Sequence, residues 1–266
     1  MTEQLQRPEG TIAYDVKGSG PLVVCVPGMG DLRSSYRTLV PALVQAGYRV
    51  ATMDLRGHGD SGTDFTTFDE QAIASDVLAL VTELGGPAFL VGNSLGGDGV
   101  VRAAASRPAA VAGLVLLDAV LRGGGPAVLR LVFRALLAKP WGPALWAWYY
   151  RSLFKSTKPA DLDGHIAAIR SSQREPGRFR AFQLTARATH GGTEELLPDV
   201  HTPTLVVAGS KDPDLGDARA EAQRQADALH GEVLVIDGAG HYPHLETPEQ
   251  VVPAVVAFLD QQRAGA

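Results

Sequence analysis

Apolar positions in this chain fall into short, nearly unbroken runs separated by longer stretches of helical periodicity. The runs are Thr11–Val16, Leu22–Val26, Arg49–Met53, Ala88–Val91, Gly113–Leu117, Thr204–Ala208 and Glu232–Ile236, most of them β-branched and bounded by Gly, Pro or Asp. Continuous apolar strands of this length suit a sheet covered on both faces, because a half-exposed strand alternates instead. Between several of them, helical patterns cover Ser35–Ala46, Asp69–Leu84, Leu95–Ser106, Asp217–Leu229 and Pro248–Gln261. Strand alternating with helix predicts an α/β fold with a mainly parallel central sheet, about eight strands, flanked by helices. The first two runs lie closer together. Joined by Lys17-Gly18-Ser19-Gly20-Pro21, Thr11–Val16 and Leu22–Val26 are expected to form an N-terminal antiparallel hairpin.

The rhythm breaks between Leu121 and about Leu197. Gly123-Gly124-Gly125-Pro126 opens the interruption, and helical patterns follow over Ala127–Ala138, Trp141–Phe154, Leu162–Ser172 and Arg178–Thr189. All three tryptophans of the chain lie there. The expected organisation is a core whose first part covers 1–121, a helical lid inserted after the sixth strand over 122–197, and a second core part over 198–266. Within the lid, Phe133, Trp141, Trp146, Trp148 and Tyr149 are candidates for an apolar substrate pocket. Aromatics at helical spacing also serve as ordinary core, so a plain extension of the core is the alternative.

Composition narrows the function classes. With 45% hydrophobic and 20% charged residues, the chain should fold around a packed core. A net charge of −5 and the lack of a Lys/Arg run give no electrostatic footprint for nucleic acid or an anionic membrane. No stretch approaches the ~18 apolar residues of a membrane span. The polar start, Met1 to Gly10, shows no secretory h-region, so a cytoplasmic protein is expected. The single cysteine, Cys25, sits in an apolar run and reads as a buried hydrophobe. No cofactor or metal is called for; the expected partner is a small-molecule substrate.

The chemistry concentrates at Gly92-Asn93-Ser94-Leu95-Gly96-Gly97, between a strand and a helix pattern. That is the context of a G-x-S-x-G nucleophile elbow, where close neighbours must be glycine and the helix N-terminus lies under developing negative charge. Ser94 needs a base. His241 follows the last strand through Gly238-Ala239-Gly240, a loop able to return an imidazole to the sheet edge, and His244 is its nearest rival. The orienting acid is Asp212, reached through Gly209-Ser210-Lys211, with Asp118 at the end of the preceding strand as the alternative. Oxyanion donors are expected from the backbone N–H of Leu95 and, within Pro27-Gly28-Met29-Gly30, that of Met29.

Taken with Asp54-Leu55-Arg56-Gly57-His58-Gly59-Asp60-Ser61-Gly62, these segments resemble, in order and across about Thr11 to Leu259, the α/β-hydrolase fold family, and specifically its lid-bearing esterase, lipase and peroxidase-like group. The resemblance implies a structural role for Arg56-Gly57-His58-Gly59. Serine at 94 argues against the dehalogenases and epoxide hydrolases of this fold, which use aspartate there. Pro27-Gly28 stands where many relatives carry His-Gly. The expected activity is cleavage of a carboxylic ester or lactone through an acyl-enzyme. The alternatives are carbon–carbon hydrolysis, perhydrolysis or cofactor-free lyase chemistry with the same residues, or a non-catalytic ligand-binding protein on the same scaffold.

Overall fold

The structure is a computed structural model that describes residues 2–122, 137, 140–188 and 191–264. Eight strands form one sheet: β1 (Glu3–Arg7), β2 (Gly10–Lys17), β3 (Leu22–Val26), β4 (Arg49–Met53), β5 (Ala88–Asn93), β6 (Val111–Leu117), β7 (Thr204–Gly209) and β8 (Glu232–Ile236). Their order is β1-β2-β4-β3-β5-β6-β7-β8. All neighbours from β4 to β8 pair in parallel; β2 is antiparallel to both β1 and β4.

An N-terminal antiparallel hairpin is therefore present, but its strands are β1 and β2. The expected pairing of Thr11–Val16 with Leu22–Val26 does not occur, because β4 lies between them. The glycines of the connecting loop explain the change. Gly18 (φ 77°) and Gly20 (φ 110°) carry the chain so tightly over the entry to β4 that a Cβ at Gly18 would stand 2.4 Å from the Tyr48 carbonyl oxygen and one at Gly20 2.2 Å from that of Gly47. Strand β1 escapes the apolar pattern since it is an edge strand of which only Leu5 is buried.

Alternate residues of the central strands feed two cores. Leu22, Val24 and Val26 join Leu90, Leu114 and Val206 against α2 (Glu70–Glu83), α3 (Leu95–Ser106) and α7 (Ala218–Ala228). Val23 and Cys25 join Val91, Val115 and Val207 against α1 (Leu39–Gln45) and α9 (Pro248–Ala264). Burial pushes the Cys25 thiol far up, which makes it an inert packing group.

Between β6 and β7 lie α4 (Gly142–Ser152), α5 (Leu162–Arg174) and α6 (Arg178–Thr185). They build a third apolar cluster around Trp146, Tyr150, Phe154, Ile166, Phe179 and Phe182, joined from the core by Tyr242 and Leu245. The expected helix Ala127–Ala138 lies, apart from Leu137, outside the described residues, as do Gly123-Gly124-Gly125 and Phe133. No helix among the described residues is long and apolar enough to cross a membrane.

Arg56 shows how the loop after β4 is pinned. Its Nε and Nη2 donate to the two oxygens of Asp76 on α2, each at 2.8 Å, and Nη1 donates to the Thr67 carbonyl at 2.8 Å. Arg7 on β1 reaches the same carboxylate at 2.9 Å, and Asp76 is buried. Removing one partner leaves a buried charge uncompensated. Asp76→Ala should therefore cost about 3–5 kcal/mol in denaturant unfolding, whereas Arg219→Ala, which breaks only an exposed pair with Asp237, leaves the midpoint unchanged.

Candidate active site

Strand β5 runs into α3 through a single strained residue. Ser94 has φ 53° and ψ −120°, a left-handed conformation that a side chain rarely adopts. Its N–H donates to the Leu117 carbonyl at 3.0 Å, and its own carbonyl accepts from Gly97 at 3.0 Å. The turn is closed so tightly that a Cβ at Gly92 would stand 2.5 Å from the Gly96 carbonyl oxygen, and one at Gly96 only 2.2 Å from that of Val26. Glycine at these two positions is a steric necessity.

The loops after β7 and β8 bring an acid and an imidazole together. Lys211 N–H donates to the Ala239 carbonyl at 2.8 Å, zipping the loops side by side. At their ends His241 Nδ1 lies 2.7 Å from Asp212 Oδ2, and both residues are buried. Burial acts to depress the His241 ring, but the Asp212 carboxylate outweighs it, and the pKa rises above the ordinary histidine value. Burial likewise acts to raise Asp212. The His241 charge and hydrogen bond, with the Asp214 N–H at 2.8 Å, hold it below the usual carboxylate range instead. Asp214 Oδ2 stands 3.8 Å from His241 Nε2.

Ser94 is tied to this pair through its neighbour. Asn93 Nδ2 donates to the Leu117 carbonyl at 2.9 Å and to the His241 carbonyl at 3.2 Å. Among the described residues no hydrogen bond joins Ser94 Oγ to His241 Nε2; such contacts often tighten only with substrate bound. The loop after β3 runs alongside the elbow, since a Cβ at Gly28 would stand 3.0 Å from Ser94 Cβ. Among the described residues neither Met29 N–H nor Leu95 N–H is paired with a backbone acceptor.

This architecture is shared with known proteins. The sequence profile of the alpha/beta hydrolase family matches residues 23–254. The chain belongs to that family. It is 30% identical over 275 residues to a 2-(acetamidomethylene)succinate hydrolase of Mesorhizobium japonicum, covering 94% of this chain and 93% of that protein. It is 28% identical to a 2-heptyl-3-hydroxy-4-quinolone dioxygenase, AqdC1, of Rhodococcus erythropolis, covering 92% and 89%. Among solved structures, a thermophilic esterase from Thermogutta terrifontis superposes with a TM-score of 0.82 at 26% identity, covering 98% of this chain and 99% of that one. The protein is thus an enzyme of the α/β hydrolases, and its relatives support hydrolase activity.

In this α/β hydrolase the helices after β6 are anchored directly to the loops of the site. Trp146 Nε1 donates to the Gly30 carbonyl at 3.1 Å. Asp31, fully buried, accepts from Tyr150 Oη at 3.0 Å and meets His165 Nε2 at 2.7 Å. Glu246 on α8 (Pro243–Glu246) accepts from the N–H groups of Lys155, Ser156 and Gly240 and from the Ser156 hydroxyl. His241 N–H closes the same junction on the Leu153 carbonyl at 3.0 Å. Of the other aromatic candidates, Tyr149 donates to Asp214, whereas Trp141 and Trp148 are 56% and 66% exposed rather than enclosed in a pocket.

Rival arrangements fit the chemistry less well. His244 is stacked on Tyr36 at 5.5 Å, and burial pushes its pKa down to about 4. Asp118 bonds Gly209 N–H rather than an imidazole. A second serine–histidine–aspartate series exists, Ser34 Oγ to His165 Nδ1 at 3.3 Å and on to Asp31. Its serine sits in an ordinary 3₁₀ turn, and its aspartate is already committed to Tyr150 and Leu32 N–H. The cavity beside it, about 600 Å³ between Arg33, Arg37, Ser172 and Glu175, is lined by none of Ser94, His241 or Asp212. Asp118, Asp212 and His241 are metal-ligating types with donor atoms within 4.8 Å of one another, but Asp212 and His241 are bonded to each other and Asp118 Oδ1 to a backbone N–H.

Sequence reasoning passed over Asn93, Asp31 and Glu246. Each acts through partners remote in the chain, backbone carbonyls for Asn93, side chains for Asp31, and chiefly backbone N–H groups for Glu246, which leaves no local pattern; only their setting within or beside the glycine-rich motifs marks them. The electrostatics of the site can be read directly. In the wild type the His241 ring should titrate above about 6.5, and in Asp212→Asn, with burial left unopposed by that charge, below it. Ring NMR titration measures both, and an unmoved His241 pKa would count against the pairing.

Proposed function

We propose that Ser94 is the nucleophile, His241 its general base and Asp212 the acid that orients the imidazole, with Met29 and Leu95 N–H forming the oxyanion hole. The observation that carries this reading is the 2.7 Å contact of Asp212 with His241 Nδ1, in a loop hydrogen-bonded by Asn93 to the strained serine elbow. Asp212 selects the tautomer with Nδ1 protonated, leaving Nε2 free to accept the Ser94 proton. As Ser94 Oγ bonds to the carbonyl carbon, the C=O π pair moves onto oxygen, giving an oxyanion beside the N-terminus of α3, where preorganised N–H donors are worth most. The imidazolium returns its proton to the leaving alcohol, and water, activated by the same base, releases the acid.

The substrate is a small carboxylic ester or lactone with an apolar acyl or aryl part. Helices α4 to α6, within the inserted segment 122–197, act as its lid. Met29 and Trp146, brought together where α4 meets the loop after β3, form an apolar wall for it. A second reading keeps the triad and changes the bond, and the relatives' names, one a hydrolase and one a dioxygenase, favour keeping it.

A fluorophosphonate probe should label the wild type and not Ser94→Ala, and the same substitution should lower kcat on ester substrates by about 10⁴–10⁶. Labelling without turnover across a broad ester and lactone panel would move the assignment to the second reading. Faster turnover of short polar esters than of aryl or medium-chain ones would remove the apolar pocket.

A further inference from the structure

Two carboxyl groups, not one, stand behind His241. Asp118 follows β6 with φ 45°, a left-handed backbone that costs a non-glycine residue about 1 kcal/mol. It is fixed there by hydrogen bonds, its N–H to the Val207 carbonyl at 2.8 Å and its Oδ1 from Gly209 N–H at 2.9 Å. Its second oxygen, Oδ2, is buried and receives no donor among the described residues. What lies next to the Asp118 carboxyl is that of Asp212, whose own oxygens already take His241 Nδ1 and Asp214 N–H. One donor atom each of Asp118, Asp212 and His241 lie within 4.8 Å of one another, and Glu246 adds a third negative group nearby. A protonated His241 balances one of these charges. Two buried carboxylates this close repel each other, which favours protonation of one of them. A single proton removes the conflict and supplies the donor that the arrangement lacks.

We propose that Asp118 is a positioning residue, held as a neutral carboxylic acid whose hydroxyl donates to Asp212 and fixes that carboxylate against His241. Burial, and then the adjacent Asp212 charge, push the Asp118 carboxyl well above the usual carboxylate range, in the direction this role needs. The role rests on the Ser94–His241–Asp212 reading. It also differs from the alternative open to Asp118 in the sequence, that of the triad acid itself, because a neutral acid is mimicked by an amide and an ionised one is not. Asparagine at 118 can accept from Gly209 N–H and donate to Asp212.

The test compares Asp118→Asn, Asp118→Ala and Asp212→Asn on an ester substrate, with infrared difference spectra of wild type against Asp118→Asn at neutral pH. Asp118→Ala is expected to lower kcat about 10- to 100-fold through a misplaced Asp212, with KM unchanged. Asp118→Asn should recover all but a few-fold of that loss and leave the acidic limb of the kcat/KM profile in place, and the infrared difference should show the loss of a protonated-carboxyl C=O band. The proposal is overturned if that band is absent, or if Asp118→Asn moves the acidic limb down by about one pH unit as removal of a negative charge would. Should Asp118→Ala fail to fold, the asparagine variant and the infrared band decide. Full activity in Asp212→Asn would sink the triad reading, while the band still reports the state of Asp118 by itself.

Discussion

The close passage of α3 beneath the ends of β3 and β5 is the constraint on which the site depends. At Gly96 the backbone comes so near the Val26 and Pro27 carbonyls that no side chain fits. That proximity forces the reversal at Ser94 into a left-handed turn and sets the loop after β3 against the serine. The strain at Ser94 is held by packing on both faces of the sheet, with the surrounding strands almost wholly buried. Every other element of the site arrives at this fixed point from a longer loop.

Those longer loops need fastening, and the fastening is polar and buried. Asn93 reaches the His241 carbonyl, Asp31 gathers Tyr150 and His165, and Glu246 gathers four donors from two segments. Each buried oxygen that accepts these bonds avoids the desolvation penalty of an unmade hydrogen bond, and each bond has a defined geometry. Aromatic packing around Trp146 and Tyr242 supplies the bulk attraction between helices and core, while the polar contacts set its register.

This division of labour explains what was legible beforehand. The parallel strands and α3 follow from apolar runs and glycine spacing, which are local; the helix pattern Leu95–Ser106 coincides with α3. Ser94, Asp212 and His241 stand out because each follows a strand within a few residues, where the fold must place it at the sheet edge. The order β2-β4-β3 was not legible, since two glycines bent over a segment thirty residues away in sequence decide it. Edge strand β1, with one buried residue, carries no pattern to find. The exposure of Trp148 beside the burial of Trp146 likewise depends on which face of α4 meets Gly30, a tertiary fact.

The junction at Glu246 has a practical side. Leu153 through Ser156 contribute main-chain groups, a carbonyl to His241 and two N–H groups to Glu246, alongside the Ser156 hydroxyl. Main-chain groups tolerate wide variation in side chains, so the helical segment is free to drift in sequence as long as the path of these four residues is kept. Grafting the corresponding segment of a relative onto this scaffold therefore has a natural splice point, placed N-terminal to Leu153. A chimera joined after Ser156 would replace the residues whose main-chain path holds the His241 loop and Glu246.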